Sequence, residues 1–252
     1  MALAVIGAAL MGFMIGLAGT ATGGLFVLSF KRPSHRTQTL LIGFSGGVML
    51  AVVFFDLIPE SWQTGGWAAC LIGTLVGIVL IRLLDQGLTH LSRNRTRRLS
   101  RYTRTGLLLG LGIALHNFPE GVALGTVYTA STSPGGWIGL ALLMALHNIP
   151  EGMVMAAAMR LGNIRIRKVI WALVLVELPM GVGAALGGFF GELSALSTSL
   201  SLAFAGGAML YITLDELFPA ASELGGWFWM TVGTAGGGLV GAALTRIVQA
   251  AG

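Results

Sequence analysis

The chain has 252 residues, 55% hydrophobic and only 10% charged, with a formal net charge of +5. Soluble domains carry about 25% charged residues, so this composition excludes an ordinary soluble protein. Nor does the positive balance indicate a nucleic-acid partner, because fourteen of the fifteen Lys and Arg gather around the ends of three apolar runs.

Crossing a bilayer takes about 20 apolar residues of helix, and that length divides the chain into eight spans. Span one, 3–29, has no basic residue before it and is too long for a signal-peptide core, so it is read as a span. Lys31, Arg32 and Arg36 follow it. Span two, 39–59, has Asp56 and Glu60 at its far end. Span three, 66–84, ends beside Asp85 and leads into a basic loop, 85–105, with Arg93, Arg95, Arg97, Arg98, Arg101 and Arg104. Spans four and five, 106–129 and 137–159, contain a repeated polar motif, and Arg160, Arg165, Arg167 and Lys168 follow span five. Span six, 169–190, contains Glu177; span seven, 196–218, has Asp215 and Glu216 toward its end; span eight is 227–246. The loops after spans two, four and six carry no Lys or Arg. Basic loops stay cytoplasmic, which puts both termini outside, with Arg246 the one exception. The six tryptophans fall near span ends, as interfacial anchors do. Cys70, the single cysteine, has no partner for a disulfide and reads as a small core residue.

The stretch FSGGVMLAVVFFDLIPESWQTGGW at 44–67 aligns without gaps on FAGGAMLYITLDELFPAASELGGW at 204–227, sharing the Pro and the closing GGW. One is span two and the other span seven, so the two cross the membrane in opposite directions. The chain therefore reads as one all-α transmembrane domain of 3+2+3 spans, in which spans 1–3 and 6–8 form an inverted repeat. Many secondary transporters are built this way, with a site near the midplane between the halves.

Spans four and five lie between those halves, and each carries one copy of the motif: LHNFPEG at 115–121 and LHNIPEG at 146–152. An ionisable group at mid-bilayer costs about 2.5–3.5 kcal/mol, and His116, Glu120, His147, Glu151 and Glu177 all lie at that depth with no Lys or Arg beside them. A bound dication supplies the missing charge. His116 and Glu120 share a helix face, as do His147 and Glu151, and Asn117 and Asn148 sit on the shoulder of that face. Pro119 and Pro150 free backbone carbonyls beside each histidine. Two carboxylates shared between two helices, with His and Asn beside them, can form a binuclear site suited to zinc and also to iron or manganese. The alternative is a membrane-embedded di-metal enzyme, but no base or nucleophile remains at depth beyond the ligands. Asp56 and Glu60 outside, and Asp85, Asp215 and Glu216 inside, can attract cations at the mouth and receive them at the exit.

HNFPEG and HNIPEG on consecutive spans, with ITLDELFP in span seven, resemble the ZIP (Zrt/Irt-like protein) divalent-metal transporters, most of all their bacterial zinc-uptake branch. The resemblance implies that His116, Glu120, His147 and Glu151 hold one metal. Asn117, Asn148 and Glu177, sharing Glu120 and Glu151, would hold a second. It also implies a protein of the bacterial inner membrane with no catalytic cofactor. Its cargo would be zinc, with iron, manganese, cobalt and cadmium as further candidates. Homodimers, and movement of spans 1, 4, 5 and 6 against 2, 3, 7 and 8, complete what the family implies.

Overall fold

The computed structural model describes residues 2–30, 34–93, 101–130, 135–190 and 194–251. Among them the chain is helical throughout, without a strand. In lipid a helix satisfies every backbone polar group within its own segment, and the apolar runs take that form. The elements are α1 (Ala2–Ser29), α2 (His35–Val52), α3 (Ile58–Arg93), α4 (Arg101–Ala130), α5 (Gly135–Leu161), α6 (Ile166–Leu175), α7 (Leu178–Phe190), α8 (Ala195–Tyr211), α9 (Phe218–Gly225) and α10 (Trp227–Ala251). Two π-helical turns join α2 to α3, at Val53–Leu57, and α8 to α9, at Ile212–Leu217. Six helical stretches are long and apolar enough to cross a membrane, so the chain is a multi-pass helical membrane protein.

One of those stretches, His35–Gly87, has 53 residues. A straight helix of that length would measure about 80 Å, more than twice a bilayer core. It folds back at Gly66, whose φ of 81° and ψ of 171° break the helix inside α3. The Cys70 thiol accordingly lies 3.7 Å from the Ile58 carbonyl oxygen, where twelve residues of helix would separate them by about 18 Å. Gly226, with φ 92°, makes the corresponding break between α9 and α10. Positive φ is costly for any residue with a Cβ, and this gives the matched GGW its purpose.

Residues 160 apart occupy equivalent places throughout the two outer thirds. Ser34 caps α2 by accepting from the Thr37 N–H at 3.1 Å, and Ser194 caps α8 by accepting from the Ser197 N–H at 3.2 Å. The Thr39 hydroxyl donates to the Ala221 carbonyl at 3.1 Å, and the Ser199 hydroxyl to the Ser61 carbonyl at 2.8 Å. A Cβ on Gly47 would overlap the Thr234 carbonyl, and one on Gly207 the Thr74 carbonyl. The middle helices obey the same exchange with an offset of 31: a Cβ on Gly121 would strike the Met180 carbonyl, and one on Gly152 the Thr20 carbonyl. Small residues at these points let backbones touch, which is how helices associate without a hydrophobic drive between them.

These contacts also fix direction. Gly24 meets Leu173, Gly16 meets Glu177, Gly12 meets Ala184 and Gly188 meets Ala8, so α1 runs antiparallel to α6 and α7, its repeat partners. The main packing partners are α3 with α8 and α2 with α10 on one side, α4 with α7 and α1 with α5 on the other. The bundle thus has two groups of helices, with the motif-bearing α4 and α5 both in the second.

Candidate metal centre

Among the described residues the buried charged side chains are all glutamates: Glu120, Glu151, Glu177 and Glu216. No Lys or Arg accompanies them, and this restriction of buried charge to one sign is the electrostatic fact around which the site is built.

Glu177 sits where the sixth apolar run is broken. α6 ends at Leu175, α7 begins at Leu178, and Pro179 is tolerated because the first helical turn leaves its N–H positions unbonded anyway. The break exposes the Val176 carbonyl, which accepts from Asn117 Nδ2 at 3.2 Å. The same amide nitrogen donates to Glu177 Oε2 at 3.0 Å, and Thr20 Oγ1 of α1 donates to Glu177 Oε1 at 2.5 Å. All three side chains are completely buried. Thr20, Asn117 and Glu177 therefore form one hydrogen-bonded unit drawn from α1, α4 and the break between α6 and α7.

α1 reaches the unit because it is glycine-lined. A Cβ on Gly16 would overlap the Glu177 carboxylate, and one on Gly19 would meet the Ala145 carbonyl and the Asn148 side chain. Asn148 is completely buried on α5, with its Nδ2 4.0 Å from the sulfur of Met180. The Oδ1 atoms of Asn117 and Asn148 have no hydrogen-bond partner among the described residues. Buried acceptors left in that state cost about 1–3 kcal/mol each, and a cation between them would remove the cost. Glu120 and Glu151 are buried one turn further along α4 and α5, in helices that continue through Pro119 and Pro150.

Of the other predicted ligands, His116 and His147 lie on these helices, but their imidazoles fall outside the described residues. Among the described residues no three His, Cys, Asp or Glu side chains form a ready-made metal cluster. Asp85, Asp215 and Glu216 gather around one side chain: the Tyr211 hydroxyl donates to Asp85 Oδ2 at 3.4 Å and lies within electrostatic reach of Asp215 and Glu216. Asp56 is half-buried and Glu60 exposed, one helical turn apart and close enough to repel each other. Asp56 and Glu216 are repeat equivalents, and each lies in a π-helical turn ahead of a proline, Pro59 or Pro219. The wider turn makes room for a ring that would otherwise clash with the carbonyl four residues back.

The residue missed by the sequence reading is Thr20. Its signal is faint: a hydroxyl at the centre of a glycine stripe, Gly12, Gly16, Gly19 and Gly23, in an otherwise apolar helix.

A cavity of about 350 Å³ lies between α4 and α8, with a mostly apolar lining that includes Pro119, next to Glu120, and Thr64, Thr126, Thr198 and Ser201.

Acidic groups buried in a multi-pass helical bundle define a membrane protein with an intramembrane polar site, and comparison with known proteins narrows the class. The family model ZIP Zinc transporter matches residues 86–249. A zinc transporter ZupT of Salmonella heidelberg is 36% identical over 222 residues, covering 82% of this chain and 85% of its own. Those of Enterobacter sp. (strain 638) and Corynebacterium aurimucosum are 33% and 31% identical over 225 and 227 residues, each covering 82% of this chain. The chain belongs to the ZIP family, whose members are transporters and not enzymes.

Proposed function

We propose that this protein carries divalent metal, zinc above all, into the cytoplasm through a binuclear site between α4, α5 and the α6–α7 break. The single observation that carries the reading is the buried unit of Thr20, Asn117 and Glu177 beside Asn148, where the buried charges among the described residues are all carboxylates. His116, Glu120, His147 and Glu151 hold the first ion. Asn117, Asn148 and Glu177 share the two motif glutamates to hold the second. Iron, manganese, cobalt and cadmium offer the same charge and accept the same nitrogen and oxygen donors.

The chain crosses the inner membrane eight times in a 3+2+3 order, as one domain with both termini outside. Support comes from the reversal at Gly66, its counterpart at Gly226, and the packing equivalences at offsets of 160 and 31. Alternating access follows from that symmetry. A group of helices holding the ions, α1, α4, α5, α6 and α7, moves against α2, α3, α8, α9 and α10, opening first one face and then the other. The cavity beside Pro119 is the outer route, past Asp56 and Glu60. Asp85, Asp215 and Glu216 around Tyr211 receive metal on the inner side.

The test is zinc uptake into proteoliposomes containing the purified full chain. The wild type should accumulate zinc, and Glu120→Ala or Glu151→Ala should abolish uptake while keeping the wild-type thermal unfolding profile. Uptake at the wild-type rate in both variants would end the proposal.

A further inference from the structure

The inverted packing gives the molecule two related crevices, and their chemistry differs. The outer one lies between the C-terminal half of α4 and the start of α8. Its counterpart, about 410 Å³, lies between the C-terminal end of α5 and the start of α2. Thr198 and Ser201 of the outer crevice become Gln38 and Leu41 in the other, Thr126 becomes Ala157, and Ala195 becomes His35. Arg160 is added at the rim, and Val27, Leu28 and Leu161 close the walls. The first crevice is lined by uncharged residues only, whereas the Arg160 guanidinium of the second repels a cation and attracts an anion.

We propose that this second crevice binds the phosphate of an anionic phospholipid, with an acyl chain along its aliphatic wall. Charge complementarity commits the site to that occupant. Arg160 is exposed and held in place by its Nη1 donating to the Ile164 carbonyl at 3.0 Å, and no carboxylate pairs with it or with His35 among the described residues. Arg36, on the next position of α2, stacks over Trp229 at 5.8 Å, and such basic and aromatic pairs sit at headgroup level. Arg165 precedes Ile166, which lines the crevice at the start of α6. Basic pockets between membrane helices on the cytoplasmic side take anionic headgroups in this way, whereas a free anion has no use for the apolar wall. The crevice lies where the start of α2 meets the end of α5, members of the two helix groups, so a lipid seated there would touch both. The placement at the inner leaflet rests on the proposed orientation of the spans; the ligand chemistry does not.

Native mass spectrometry of the purified full chain, from micelles containing phosphatidylglycerol and phosphatidylcholine in equal amounts, tests this. Phosphatidylglycerol should be retained preferentially. Arg160→Gln should weaken that retention roughly fivefold, the size of one basic residue's attraction to an anionic lipid, with Arg160→Lys keeping most of it. Arg167→Gln, exposed on the same face but outside the crevice, should leave it unchanged. Equal retention of the two lipids, an equal loss in Arg167→Gln, or displacement of the lipid by excess inorganic phosphate would overturn the proposal. Zinc uptake by the wild type, measured alongside, separates the two readings: uptake in a wild type that retains both lipids equally sinks this proposal alone. Lipid preference in a wild type that moves no zinc sinks the transport reading alone.

Discussion

Replacing Thr20 by Val keeps the shape of the side chain and removes only the hydroxyl that donates to Glu177 Oε1 at 2.5 Å. Both residues are completely buried, so no water takes over the bond. A hydrogen bond to a charged group contributes about 1.5–3 kcal/mol, and at 1.36 kcal/mol per decade that is roughly a 10- to 100-fold change in affinity. Groups that orient a metal ligand from behind have effects of the same order. Thr20→Val should therefore raise the zinc concentration for half-maximal uptake into proteoliposomes by about tenfold or more, and Thr20→Ser should restore most of it. The maximal rate should fall less than the affinity, because the first site is left intact. Half-maximal uptake at the wild-type concentration in Thr20→Val would refute a role for this hydroxyl in holding Glu177 for metal.

Other consequences follow from the same geometry. Glu177→Ala should reduce uptake less than Glu120→Ala and shift the relative uptake of zinc, iron, manganese and cadmium, since it removes a hard oxygen from only one site; an equal loss with unchanged preference would contradict separate roles. Gly47→Ala and Gly207→Ala should each destabilise the protein by about 1–3 kcal/mol in thermal unfolding, because each new methyl strikes a carbonyl of the paired helix. An effect from one and not the other would break the equivalence of the repeats. Neutralising Asp56 and Glu60 together should slow metal capture, more so at low salt, whereas Asp215→Asn with Glu216→Gln should leave capture intact and slow release. In a Cys70→Ser background, a cysteine at the exposed Gln63 should react with an impermeant reagent added outside intact cells, and one at Glu223 should not; Ser61 is unsuitable because it is buried against Ser199.

The helical frame was legible because long apolar runs of bilayer length leave helix as the one way to satisfy the backbone. The matched F-GG-ML, Pro and GGW predicted equivalence of spans two and seven, and the same offset of 160 recurs in the Ser34 and Ser194 caps and in the glycine contacts. Glu177 was legible as a polar break because a carboxylate two residues before a proline has no structural reason to lie in an apolar run. Thr20 was not, since its partner is 157 residues away and a lone threonine in a helix ordinarily bonds its own backbone. The π-helical turns were hidden for another reason: Pro59 and Pro219 signal a disturbance of the helix but not whether the chain kinks or inserts a residue. Pro119 and Pro150 have the same local signature, yet α4 and α5 run on through them without such a turn.

The central claim is that two ions share Glu120 and Glu151, and counting zinc bound at saturation to the purified chain tests it most directly. The wild type should bind two ions per chain, Glu177→Ala one, and Glu120→Ala neither with wild-type affinity, because the bridging carboxylate serves both. Two tightly bound ions in Glu120→Ala, or none in the wild type, would contradict the account.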